Sequence, residues 1–428
     1  MKGRLKVSLV LVIYIFFVVL SCKEGSAPTV FRPAKKELDI NKSLEAVFKK
    51  NELMGMSVVL IDEGKLQWNK SFGLANLDHG TRVNSNTMFR VVSISKTVTA
   101  IALMQLVDRG LVDLHRDVSD YLGWQLRNPY FPEIPITLYQ ILNHTSSIAD
   151  GKGYVNFSRK MISDELAIET LFSKGGTYFT EDLYSKNAPG TYFSYTNASW
   201  GIVASVIELL SNLSFDAYCR EYIFKPMGIK AEFDPAHLES IDNLAVLYRF
   251  EDGNWSPQAD NYQGLKPSKR LYDGYELGTN GFLNGPQGNL RASALDLAEL
   301  ILMFFNEGES NGRQILKKES VHTMLGKHWE FDGENGDTWG HFYLSFGLGI
   351  HHITNMPESD IIFEDRNMSG HPGIAYGLLS DMYFDSRTRS GIVFITNGSK
   401  LKYEYGQESS FYQVEEDLFK AVNPFLKK

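Results

Sequence analysis

Three short motifs, far apart along the chain, carry residue types that together can perform acyl transfer. The first is Ser93-Ile94-Ser95-Lys96. If this segment opens a helix, the i, i+3 spacing sets Ser93 and Lys96 on one face, one turn apart. The run behind them, residues 98–107, is apolar nearly all round, which predicts a helix belonging to the core. A lysine desolvated there, close to a positive helix terminus, has its ammonium form disfavoured and can act as a base near neutrality. Ser93 would then be the nucleophile, and its own N–H could face a developing oxyanion. Taken alone, S-x-x-K fits an ordinary Ser cap with a surface lysine just as well. Ser95 is a rival nucleophile, but three residues beyond it stands Val98 rather than Lys.

The second motif is Tyr195-Thr196-Asn197, shortly after Pro189-Gly190-Thr191. A buried phenol beside a lysine can carry a proton between a serine and a leaving group. On an extended segment Asn197 points the same way as Tyr195 and can hold a substrate amide. The third is His371-Pro372-Gly373 at the head of a strand. Gly373 lets a substrate approach the backbone, and the N–H of Ile374 could complete an oxyanion hole with that of Ser93. Singly, these two also read as a structural tyrosine in a Pro-Gly turn region and a turn before a strand.

The elements that must position them follow from periodicity. A helical pattern covers residues 41–50, and strands cover 57–61 and 66–73 around a turn at 62–65. The helix from about Ser93 stops at Arg109-Gly110. Residues 137–143, 200–211, 296–305 and 318–325 read as helices, whereas 151–189 and 234–279 are loop-rich. Strands return at 346–351, 373–385 and 391–396, the last two joined by a turn at 385–389, and a helix over 413–422 closes the chain. Strands at both ends with helices between make an α+β pattern. One antiparallel sheet, flanked by helices and carrying an inserted, mostly helical subdomain, would set the site between its two halves.

In this order the three motifs resemble the serine β-lactamase and penicillin-binding protein superfamily, especially its class C β-lactamase, D-alanyl-D-alanine carboxypeptidase and esterase branch. Residues 93–110 (SISKTVTAIALMQLVDRG) continue into LVDLHRDVSDYL in the family's manner. Residues 137–148 (TLYQILNHTSSI) resemble the segment that usually reads LLxHTSG. Residues 288–300 (GNLRASALDLAEL), 346–350 (FGLGI) and 393–398 (VFITNG) fit the helix bordering the cleft and the terminal strands. The resemblance runs from about residue 40 to the C-terminus. It implies the serine β-lactamase-like fold over 37–427, with an α/β part at about 37–112 and 285–427 and a helical part at about 113–284. It also implies that Ser93 is acylated, that Lys96 and Tyr195 share general acid/base duty, and that Asn197 binds the substrate amide. The N–H groups of Ser93 and Ile374 would form the oxyanion hole, and no metal or cofactor is expected.

Two departures stand out. Ser147 replaces the usual Gly of HTSG, for which a backbone adjustment is expected. In the third motif, Pro372 offers neither a hydroxyl nor an N–H, and His371 is largely neutral at pH 7 where the Lys of Lys-Thr-Gly would be charged. Both weaken recognition of the free carboxylate shared by penicillins and D-Ala-D-Ala ends. The expected activity is therefore that of a peptidase, amidase or esterase acting on small-molecule, peptide or ester substrates lacking that carboxylate. A β-lactamase or D-alanyl-D-alanine carboxypeptidase is the alternative, and a non-catalytic penicillin-binding or sensor lipoprotein a second.

Composition sets the remaining bounds. Over 428 residues the chain is 43% hydrophobic and 13% aromatic, enough for a large core and incompatible with a disordered polypeptide. Lys2, Arg4 and Lys6 precede an apolar run at 7–20 and then Ser21-Cys22. The run is short for a membrane span, which needs about 20 residues, but suits a secretory signal. Its end resembles the bacterial lipoprotein box: a signal peptide at 1–21, a lipidated Cys22, and a polar tether at 22–36 with Pro28 and Pro33. An ordinary cleaved signal or an N-terminal anchor are the alternatives. The expectation is an exported protein held to a membrane by its lipid. Cys219 is then the sole other cysteine, without a disulfide partner and suited to be a small buried hydrophobe. Loss of the signal takes the net charge from −8 to −11; an acidic chain with no basic block argues against nucleic acid as a partner.

Overall fold

The computed structural model describes residues 35–426; Cys22, the signal segment and most of the tether lie outside them. Nine strands form one antiparallel sheet: β1 (Gly55–Asp62), β2 (Lys65–Asn76), β3 (Thr81–Arg82), β4 (Trp329–Glu330), β5 (Ser345–Phe346), β6 (His351–His352), β7 (Ser369–Ala375), β8 (Leu378–Asp385) and β9 (Ser390–Thr396). Their order is β4-β5-β6-β7-β8-β9-β1-β2-β3. The N-terminal hairpin thus joins the C-terminal strands at the centre, with Val59 of β1 opposite Val393 of β9.

β1, β8 and β9 are buried at every position, because helices cover both faces. Side chains alternate between the two layers. Val58 and Leu60 face helices α1 (Lys35–Lys50) and α5 (Gln413–Val422) through Ile40, Leu44, Leu418 and Val422. Val59 and Ile61 face the larger core, which holds α2 (Ser95–Asp108), α3 (Trp200–Ser211) and α4 (Ala294–Phe305). Each fully buried Ile or Leu there contributes about 1.5–3 kcal/mol.

The expected helices at 200–211 and 413–422 have those bounds. The segment 373–385 does not form one strand. It folds back at Tyr376-Gly377, both at positive φ (57° and 84°), a two-residue hairpin loop of the kind that matches strand twist. Likewise 346–351 is a turn between β5 and β6, with Gly349 at φ 68°. The loop-rich stretches also hold regular structure: helices Lys152–Lys160 and Glu169–Phe172, and a hairpin of Leu247–Glu251 with Asn254–Ala259.

Candidate active site

Ser93 lies in a 3-10 turn, Val92–Ile94, immediately before α2 rather than inside it. Val92 is held at φ 46°, a strained conformation for a β-branched residue. The strain is maintained by docking onto β7 and β8: the hydroxyl of Ser380 donates to the carbonyl of Val91 at 3.2 Å. Gly373 is what permits this approach. A Cβ there would lie 2.4 Å from Ser380 Oγ, 2.5 Å from the Val91 carbonyl oxygen and 3.3 Å from the Ser93 nitrogen. The Ser93 nitrogen thus lies close against β7 at Gly373, and the next residue of that strand, Ile374, is 42% exposed.

Lys96 is fully buried on α2. Its Nζ donates to Asn197 Oδ1 at 2.8 Å and to the Gln287 carbonyl at 2.8 Å, and it stands 3.1 Å from Ser93 Oγ. Burial lowers its pKa to about 7, with the charge of Asp150 pulling the other way. In the free-base form, two N–H groups satisfy Asn197 and Gln287, and the lone pair is left for Ser93. Ser95 is differently placed: it is fully buried and its Oγ accepts the Leu290 N–H at 3.0 Å.

Tyr195 is buried, with Lys96 Nζ 5.0 Å from its ring centroid. Burial pushes its pKa above the ordinary tyrosine value, so the phenol keeps its proton, while the hydroxyls of Ser93 and Tyr343 draw the value partly back. Those two hydroxyls are near, yet neither completes a well-formed hydrogen bond with Tyr195 Oη; the phenol is left with its bonding capacity open. Its ring is clamped by Tyr343, stacked at 5.0 Å and 6°, by Trp339 at 5.2 Å and by His144 at 4.4 Å. His144 accepts the Thr196 N–H on Nδ1 at 3.2 Å, fixing the segment that carries Tyr195.

A further residue ties this segment down. Asp150 accepts from the Thr196 hydroxyl (2.7 Å), from the N–H groups of Asn197 (2.8 Å) and Ala198 (2.7 Å), and from the Asn197 amide at 2.8 Å. Asn197 is therefore committed, oxygen to Lys96 and one N–H to Asp150, leaving a single N–H for any substrate. Nothing in the sequence singled out Asp150, Tyr343 or Trp339, nor the Gln287 carbonyl.

His371 is fully buried. Its Nδ1 lies 2.7 Å from the Pro372 carbonyl, and since a carbonyl only accepts, Nδ1 carries the hydrogen. Burial, with the charge of Lys96, lowers its pKa to about 3. The ring is neutral, and Nε2 is a lone pair without a partner. Its ring centroid is 6.0 Å from that of Tyr195.

At the HTSG position, Ser147 has the left-handed backbone that glycine adopts freely, at φ 62°, and its hydroxyl accepts from Asn128 Nδ2 at 3.0 Å. Cys219 is buried, and burial pushes its thiol pKa up, which fits a packing role. Phe157 belongs to the core, and Trp255 packs on Tyr248 and Phe250. A cavity of about 950 Å³ at the β4–β6 sheet edge, lined by Phe331, His341, His352 and Met356, includes none of the groups above.

The Beta-lactamase family model matches residues 40–408. The chain belongs to that family. Among curated proteins it is 25% identical over 214 residues to the D-alanyl-D-alanine-carboxypeptidase/endopeptidase AmpH of Escherichia coli (strain K12), a match covering 50% of this chain and 53% of that protein. The chain spans about half the length of the curated relatives it matches. Among solved structures, the octameric penicillin-binding protein homologue from Pyrococcus abyssi superposes with a TM-score of 0.66 at 20% identity, covering 90% of this chain and 76% of that one. The D-amino acid amidase from Ochrobactrum anthropi SV3 gives 0.62 at 18%, covering 90% and 98%. These two similarities show the serine β-lactamase and penicillin-binding protein fold.

Proposed function

We propose that this protein is an acyl-serine hydrolase cleaving amides or esters whose leaving group carries no free carboxylate. The observation that carries this reading is the setting of Lys96: two of its hydrogens are spoken for by Asn197 and Gln287, and the third direction points at Ser93 Oγ 3.1 Å away. With its pKa at about 7, a large fraction is free base at neutral pH and ready to take the serine proton.

In the first half-reaction, Lys96 removes the Ser93 hydroxyl proton as Oγ bonds to the substrate carbonyl carbon. The resulting oxyanion is met by the N–H groups of Ser93 and Ile374. Tyr195, still protonated, gives its proton to the departing nitrogen or oxygen and recovers one from the Lys96 ammonium. Water then attacks the acyl-Ser93 ester with the same groups in reverse, returning the proton to Ser93.

Leaving-group preference follows from His371 and Pro372. A neutral imidazole that presents a lone pair, next to a residue without N–H, offers a substrate carboxylate no donor. The amidase among the structural neighbours is consistent with an amide substrate. Export and lipidation at Cys22 belong to the same proposal, tested by whether Cys22→Ala releases the protein from membranes.

The test is kcat/KM for purified protein on nitrocefin, D-Ala-D-Ala peptides, D-amino-acid amides and short acyl p-nitrophenyl esters. The amides or esters should lead. A nitrocefin value of about 10⁶ M⁻¹s⁻¹ or more, well inside the ordinary enzyme range, would instead make this a β-lactamase. Absence of turnover throughout, with no labelling by fluorescent penicillin, would favour a sensor.

A further inference from the structure

Three residues before the nucleophile, Arg90 holds a guanidinium that the reaction above does not use. Its Nε donates to the Gly288 carbonyl at 3.1 Å, the carbonyl next in the chain after that of Gln287, which receives Lys96 Nζ. Successive carbonyls of one loop therefore hold Lys96 and Arg90, and Arg90 stands at the margin of the site. Its guanidinium carbon lies 4.7 Å from the ring centroid of Tyr376, in the β7–β8 turn. Nη1 and Nη2 reach no acceptor, and Arg90 forms no ion pair, among the described residues.

The charge around it is unbalanced. Asp260 is the carboxylate that acts most on Arg90, but both its oxygens are taken by Arg291, at 2.6 Å and 3.2 Å, in a fully buried pair. Arg270 adds a third guanidinium nearby, and its own backbone N–H rather than its side chain engages Asp234. Burial and the charge of Arg291 press the Arg90 pKa down, the condition of a cation that lacks a counter-charge. A planar guanidinium stacked on a ring, with two nitrogens open, is arranged to grip a carboxylate two-handed.

Its position tells which part of a substrate would bring that carboxylate. From His371, beside Tyr195, β7 runs past Gly373, against which the Ser93 nitrogen lies, and Ile374, and the turn that follows it begins at Tyr376 beside Arg90. At about 3.3 Å per residue this path spans ~16 Å. The leaving group must lie at the Tyr195 end, which supplies its proton. The acyl portion then extends along β7 toward Arg90.

We infer that Arg90 and Tyr376 form an acyl-side anion subsite, selecting substrates whose acyl group carries a carboxylate at its far end. The assignment of ends rests on the hydrolase reading; the anion site itself does not. It is also distinct from the leaving-group carboxylate that His371 and Pro372 disfavour.

The test compares two six-carbon p-nitrophenyl esters, the neutral hexanoate and the half-ester of adipic acid. The wild type should favour the adipate by about tenfold or more in kcat/KM, and Arg90→Gln should bring the ratio to about one. Tyr376→Leu, which removes the stack and not the charge, should reduce the ratio partway and covers the case in which Arg90→Gln fails to fold. A wild-type ratio near one, or a ratio that neither substitution moves, overturns the inference. Calorimetric binding of adipate monoamide to Ser93→Ala protein, with and without Arg90→Gln, decides the site without turnover. Binding weakened at least tenfold by Arg90→Gln, in an enzyme that hydrolyses neither ester, would retain the subsite and reject the hydrolase reading. No binding in either protein, together with no ester preference, rejects the subsite.

Discussion

Asp150 and Asn197 are joined carboxylate to amide at 2.8 Å, and this contact turns the Asn197 oxygen toward Lys96 Nζ at the same distance. Asp150 is exposed to solvent and touches no reacting atom, so its role is one of positioning. Asp150→Asn should lower kcat by about ten- to hundredfold, part of what general-base catalysis contributes. Because the Asp150 charge raises the Lys96 pKa, its loss should also move the acid limb of the pH–rate profile to lower pH. A fall in rate with an unmoved limb would reduce Asp150 to a purely structural tie.

The wild-type profile has its own signature. With Lys96 as the proposed free base, kcat/KM on a neutral ester should rise with a midpoint near pH 7. His371 adds nothing there, since it stays neutral down to about pH 3. Tyr195 is raised above its ordinary value of about 10, so the rate should stay level through pH 9. Stopped-assay profiles from pH 5 to 9 check both limbs, and a decline between pH 8 and 9 would mean that the phenol ionises where the geometry says it does not.

Gly373→Ala tests how closely the nucleophile turn meets β7. The added Cβ would fall 2.4 Å from Ser380 Oγ and 2.5 Å from the Val91 carbonyl oxygen, so the Val92–Ile94 turn must shift. The expected loss is at least about a hundredfold in kcat, the scale of one oxyanion donor, with about 1–3 kcal/mol of overpacking cost. Full activity in a normally folded variant would show that the Ser93 N–H does not need its present place beside β7.

Much of this arrangement was legible in the sequence, for reasons that differ by element. The apolar faces of 200–211 and 413–422 gave those helices their bounds, and S-x-x-K, ambiguous alone, drew its meaning from its order with Tyr195-Thr196-Asn197 and His371-Pro372-Gly373. The Tyr376-Gly377 fold was hidden because the β-favouring segment 373–385 read as one strand, with Gly377 its sole turn residue and Tyr376 at positive φ giving no signal of its own. Asp150 works through the Thr196 hydroxyl and the backbone N–H groups of Asn197 and Ala198, 46 to 48 residues away, and the Gln287 carbonyl through no side chain at all. Periodicity is blind to both. Tyr343 and Trp339 lie in a segment with little regular structure, where only the assembled fold shows which ring they clamp.

One buried pair outside the site gives a stability test. Asp381 of β8 lies under α5 beside Glu415, which accepts the Tyr412 N–H at 2.7 Å. Burial raises the Asp381 pKa well above its ordinary value and that of Glu415 to about 7. A folded pKa above the unfolded one means that the folded state holds the proton more tightly. The stabilisation is therefore full below the unfolded value of about 4 and is lost as pH climbs through about 7. Buried His144 and His351, whose pKa values are lowered, act in the opposite sense as pH falls below about 6.5. Comparing Tm of the wild type with Asp381→Asn cancels them: the wild type should lose ground steadily from pH 5 to 9. Parallel curves would mean that Asp381 holds no proton in the folded state.

The most direct test of the central chemistry is the intact mass of the protein after brief incubation with p-nitrophenyl esters, followed by mapping of the modified peptide. A single acyl adduct on the peptide holding Ser93 is expected, absent in Ser93→Ala and Lys96→Ala and longer-lived in Tyr195→Phe, where deacylation lacks its proton carrier. Ester turnover that persists in Ser93→Ala, or an adduct seated on any other residue, would contradict it.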